Sequence, residues 1–120
     1  MAFDPRTFLQ VSNDLKIGSS EAHYRAAIGR AYYAVFGHLR TRLSLSHVTD
    51  TSVHRKVIET LGAGSVEEFL LSKRVETLFE KRKEADYKYH LEIKKHNCQH
   101  WVDEAQKIID KFDSIEDDDE

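Results

Sequence analysis

The chain has few of the residues that break helices or staple loops. Its 120 residues include one proline, Pro5, five glycines and one cysteine, Cys98. Proline removes a backbone donor and glycine adds backbone freedom, so their scarcity suits long helices. A lone cysteine closes no internal disulfide, which excludes a disulfide-held scaffold and fits a reducing compartment. No run of about 18 apolar residues occurs, so no membrane-spanning helix is expected. The opening MAFDPRTFLQ has neither the basic nor the apolar stretch of a secretory signal, and a cytoplasmic location is expected. A basic surplus is missing too. The 18 lysines and arginines face 21 acids, for a net charge of -3, which excludes a broad nucleic-acid coat and leaves room for a small basic groove. The closing EDDDE is wholly acidic, so the rest of the chain is close to neutral.

Against these absences stand 40% hydrophobic and 32% charged residues, enough at this length for one domain with its own core. The apolar residues recur with helical period. Asp4-Pro5 reads as an N-cap with proline at the first helical position, opening a helix to about Ile17 with Phe8, Leu9, Val11 and Leu15 as its apolar members. Gly18-Ser19-Ser20 ends it. A second, longer helix spans roughly residues 21–43, with Tyr24, Ala27, Ile28, Ala31, Tyr32, Val35, Leu39 and Leu43 on one stripe. A polar link and a short helix over about 53–61 follow, stopped by Gly62-Ala63-Gly64. Ser65 with Glu68 predicts a capping box and a fourth helix running to about His90. The last helix carries Trp101, Ala105, Ile108, Ile109, Phe112 and Ile115, but no breaker between Tyr89 and Gln99 marks its start. The pattern predicts an all-α fold, an antiparallel bundle of four main helices plus one short helix. Residues 1–112 form its single domain, and 113–120 an acidic, disordered tail.

One stretch breaks the amphipathic rule. In LFEKRKEADYKYH, Val75, Leu78 and Phe79 lie on one face, and Arg82, Asp86 and Tyr89 fall in the same stripe. Two readings remain open. Arg82 and Asp86, four residues apart, form a structural pair that fixes helix register or an interface. Alternatively they line a working groove, where arginine binds phosphate and the carboxylate orients it. His90 is the nearest acid–base candidate, yet it lies about 12 Å from Arg82 along a continuous helix at about 1.5 Å per residue. Tyr87 and Tyr89 are candidates for stacking on a base or donating to phosphate. Tyr32 is assigned to the core; Tyr33 and Arg30 lie off its stripe and face solvent or a partner chain.

These segments carry a family resemblance. YRAAIGRAYYAVFGHL, residues 24–39, resembles the second helix of HEPN domains (higher eukaryote and prokaryote nucleotide-binding). RKEADY, residues 82–87, matches the R-x-x-A-D-Y signature of one HEPN branch, and His54 opens the short helix where such proteins often carry histidine. The resemblance implies a helical bundle, a homodimer with a groove at its interface, and RNA or a nucleotide as ligand. It further implies a metal-independent endoribonuclease of a toxin–antitoxin or defence system, with a minimal nucleotidyltransferase as partner. Arg82, Asp86 and His90 would be catalytic, and Arg82, Tyr87 and Tyr89 would bind RNA or nucleotide. The family's nuclease motif is R-x4-6-H. Here seven residues separate Arg82 from His90, and Tyr87, Lys88 and Tyr89 occupy the motif's histidine positions. Arg40 and Arg42 do reach His47 at permitted spacings, but at the end of the second helix, and are read as coincidence. The alternative function is a non-catalytic helical module that binds a nucleotide or a protein partner.

KKHNCQHW places His96 and His100 one turn apart, a spacing able to clamp an ion. Cys98 points to the opposite side of a helix and is assigned to the core. No metal site and no cofactor is expected, and no phosphate loop or nucleophile elbow is present.

Overall fold

The computed structural model of the chain describes residues 3–118. A 3-10 turn at Pro5–Thr7 leads into α1 (Phe8–Lys16), followed by α2 (Glu21–Arg42), α3 (Val53–Gly62), α4 (Val66–Tyr87) and α5 (Lys95–Asp118). No strand occurs among the described residues, and the fold is all-α with four main helices and one short one. No described helix is long and apolar enough to cross a membrane.

The starts follow local chemistry. Asp4 accepts from the backbone N–H of Arg6, Ser20 accepts from His23 N–H, and Ser65 with Glu68 completes the reciprocal capping box. Asn97 Oδ1 accepts from the Lys94 N–H at 3.0 Å, which holds the start of α5. After α2, Ser44 takes φ 61°, the left-handed conformation that turns the chain away from the helix axis.

Helix α2 is the centre of the bundle and packs against α1, α3, α4 and α5. Its Ala27, Ile28, Ala31, Tyr32, Val35 and Leu39 are buried with Leu61, Leu71, Leu78, Ile108 and Phe112 from its neighbours. Cys98 is fully buried in the same core. In α1, Val11 is 45% exposed; the buried positions are Leu9 and Ser12, whose hydroxyl donates to Ala27 O at 2.7 Å.

Two boundaries differ from the sequence reading. Helix α4 ends at Tyr87 instead of about His90, because Arg25 of α2 caps it from outside. The Arg25 guanidinium donates to the carbonyls of Glu84 (3.2 Å), Ala85 (2.9 Å), Lys88 (3.3 Å) and Leu91. At the other end, the boundary set at residue 112 falls inside α5. Asp113 bonds His38 Nε2 at 2.6 Å and Ile115 is buried, so the helix stays on the bundle to Asp118. The last two residues of the expected tail lie outside the described region.

Candidate functional site

The C-terminal half of α4 crosses the middle of α2, and Arg82 lies at the crossing. Its Nε is 2.7 Å from Asp86 Oδ2, with the arginine side chain 13% exposed and the aspartate 30%. The contact is ionic, not a well-aimed hydrogen bond: the buried Nε–H points past the carboxylate and finds no partner. Nη2 donates to the Tyr33 hydroxyl at 2.8 Å. The guanidinium thus rests on the ring of Tyr33 at 5.1 Å, with Tyr87 at 5.7 Å and Tyr32 at 6.0 Å. A Cβ at Gly29 would stand 3.4 Å from Asp86 Oδ1, in ordinary contact, so the approach of α2 to Asp86 does not depend on glycine there.

On the far side of Tyr32 stands His54, at the first turn of α3. The Tyr32 hydroxyl and His54 Nδ1 are 2.7 Å apart. The imidazole stacks on Phe36 at 4.2 Å and on Phe79 at 5.2 Å. Burial first, then the positive charges of Arg82 and Arg40, push the His54 pKa below its ordinary value. The ring is therefore neutral at neutral pH. Burial also pushes the Tyr32 phenol far up, against the opposing pull of Arg82, so it keeps its proton. In the neutral ring, Tyr32 sets the tautomer: whichever role Nδ1 takes in this bond, Nε2 takes the other.

Cations and aromatic rings alternate around this point. Arg30 lies over Tyr33 and Phe8, each at 5.7 Å, and Lys83 lies over Phe79 at 4.6 Å. Such interleaving suits a ligand with phosphates and flat bases.

Of the residues singled out from sequence, Arg82, Asp86 and Tyr87 stand together. Tyr87 is 66% exposed, its ring presented to solvent beside the guanidinium. Tyr89 stands apart, over Arg25 at 5.7 Å. His90 is not brought to the pair. It lies in the exposed turn after α4 and has no side-chain hydrogen bond or ion pair among the described residues. The arginines of the two chance motif matches are occupied elsewhere. Arg40 donates to Ser46 O and Val48 O, and Arg42 pairs with Glu116. His96 and His100 are exposed, and among the described residues no cluster of three metal-binding side chains forms around them.

His54, Tyr33 and Arg25 hold places that the sequence does not assign them. Tyr33 was visible as an aromatic residue off the core stripe, but its hydrogen bond spans 49 residues. A cleft of about 430 Å³ lies elsewhere, between the N-terminal turn and the ends of α2 and α5. Its cations are already paired, Arg6 with Asp4 at 2.8 Å and Arg42 with Glu116, so it offers little to an anion. No protein-family model, curated protein or solved structure matches this chain.

Proposed function

We propose that the protein is a HEPN-like, RNA-acting component of a toxin–antitoxin or defence system, a metal-independent endoribonuclease. The observation that carries this reading is the Arg82 guanidinium. It is fixed by Asp86 and Tyr33, leaves its buried Nε without a hydrogen-bond partner, and shares the Tyr32 ring with a neutral histidine, His54. Metal-free RNA cleavage needs a base for the 2′-hydroxyl and positive charge at the phosphate. In the proposed step His54 takes the 2′-OH proton and the 2′-oxygen bonds to phosphorus. The P–O5′ bond then breaks, the departing oxygen takes a proton from water, and the hydroxide so formed takes the proton back from His54. Arg82 holds the non-bridging oxygens throughout, and Tyr87 offers a stacking surface to the adjacent base. His54, already inside the cluster, replaces His90 in the acid–base role. A homodimer and a nucleotidyltransferase-type partner, both implied by the resemblance, belong to the same proposal.

A second reading is favoured by the 13% exposure of Arg82 and its existing contacts with Asp86 and Tyr33: a module that binds a nucleotide without cleaving it. One experiment separates the two. Purified protein in EDTA is given total tRNA and an unstructured RNA, and both cleavage and binding are measured. Wild type should cleave, Arg82→Ala and His54→Ala should lose at least about a hundredfold in rate, as removal of a general base or charge stabiliser does. His90→Ala should be unaffected. Binding that depends on Arg82 without any cleavage selects the module; neither binding nor cleavage by folded wild type rejects both.

A further inference from the structure

Alone among the eight arginines, Arg30 has neither an ion pair nor a side-chain hydrogen bond among the described residues. Each of the others faces a carboxylate, except Arg40, which donates to the carbonyls of the turn after α2. Arg30 is exposed on α2 and meets only ring faces, Phe8 of α1 and Tyr33, each 5.7 Å from the guanidinium carbon. A guanidinium stacked in this way has its face covered and its N–H donors open at the edge. Tyr33 also carries Arg82 at 5.1 Å, and Tyr87 follows Arg82 at 5.7 Å. Phe8, Arg30, Tyr33, Arg82 and Tyr87 therefore form one chain of contacts in which rings and cations alternate. Asp86 is the carboxylate bonded to it, and it pairs with Arg82. Two guanidiniums thus meet one aspartate, and the charge of Arg30 is left uncompensated.

On the reading of Arg82 as a phosphate-binding group, we propose that Arg30 holds the next phosphate along, so that the ligand of this site is an unpaired RNA strand and not a mononucleotide. The rings of Phe8 and Tyr33 are covered by cations, whereas Tyr87 is 66% exposed, so a base stacks at the Tyr87 end of the chain of contacts. A mononucleotide with its base on Tyr87 and its phosphate at Arg82 leaves Arg30 unused. A strand that continues past Arg82 brings a further phosphate to it. A duplex keeps its bases stacked and has none to lend to Tyr87. Arg30 gives this phosphate a bidentate edge without first breaking an ion pair, which every carboxylate-bound arginine of the chain would have to do. A purely structural arginine, placed to hold α1 to α2 through Phe8, would need the planar fork over the ring but not the charge.

Calorimetric titration of the full chain over a salt series tests this, with a short 2′-O-methyl RNA strand whose blocked 2′-hydroxyl prevents cleavage. A 2′-O-methyl dinucleoside monophosphate, which has a single phosphate, is the second ligand. Wild type should bind the strand more tightly than the dinucleotide. Arg30→Gln should weaken the strand roughly fivefold at about 0.1 M salt, and lower the slope of log K against log salt by about 0.7, the value of one single-strand phosphate contact. It should leave dinucleotide binding unchanged. Arg30→Lys keeps the charge and loses the fork, so it should retain the wild-type slope. An unchanged slope in Arg30→Gln, equal behaviour of the Lys and Gln variants, or a dinucleotide bound as tightly as the strand would overturn the proposal. Strand binding that is lost in Arg82→Ala but not in Arg30→Gln would leave the Arg82 reading standing without it. Folded wild type that binds neither ligand would reject both.

Discussion

His54 and Arg82 illustrate how one ring can couple two charges. Both approach Tyr32, His54 through its hydroxyl and Arg82 across its face, and each cation would repel the other if the histidine were protonated. The folded protein therefore binds the His54 proton less tightly than the unfolded chain does. Between the lowered folded value and the ordinary 6.5, the unfolded state carries more protons, so stability rises with pH. This contribution is complete above 6.5 and is lost as pH falls through the folded value. The expected result is that the wild-type melting temperature drops relative to His54→Gln as pH is lowered from about 7.5 to about 5. Parallel curves for the two proteins would show that His54 is not the group responsible. At this scale the sequence revealed Arg82 and Asp86, because an i, i+4 pair is a property of one helix. It did not reveal the Tyr32–His54 bond or the Arg82–Tyr33 bond, because each joins two helices through the tertiary fold.

Among the elements, the caps were legible and one helix end was not. Ser20 and Ser65 sit within three residues of the N–H groups they satisfy, so their signals are local. The stop of α4 is made by Arg25, which reaches carbonyls 59 to 66 residues away in sequence. That distance is why the sequence predicts a helix running on to about His90. Arg25 is itself held by Glu21 at 2.8 Å, so its fork is aimed before it meets α4. Arg25→Ala should leave these carbonyls without their donor, at a cost of about 1–3 kcal/mol for the buried ones. The loss should be local. Amide hydrogen exchange is expected to quicken from Glu84 to Lys94, while α1 and the first half of α2 keep their protection. Uniform acceleration across the bundle would mean that Arg25 holds the whole fold and not this turn.

For the molecule as a whole, composition gave the right architecture and the wrong limit. Few helix breakers and a 3.6-residue apolar period suffice for an all-α bundle, since period and length are what distinguish helix from strand. The acidic end was assigned to a disordered tail because its charge outweighs its apolar content. That reasoning averaged over Ile115, the one large apolar residue left in the segment. Ile115 is 5% exposed, a turn beyond the buried Phe112, and Asp113 between them bonds the buried His38. One apolar residue and one buried polar contact carry α5 past the expected boundary at residue 112. Ile115→Ala should therefore destabilise the protein by roughly 2–5 kcal/mol, the usual range for emptying such a site. A chain ending at Phe112 should lose this contribution and leave His38 without its carboxylate, melting below the point variant. Chemical denaturation of the three proteins checks the order: full chain, then Ile115→Ala, then the truncation. Equal midpoints for all three would return residues 113–118 to the status of a tail. A truncation equal to Ile115→Ala would show that the His38–Asp113 bond adds nothing beyond the buried side chain.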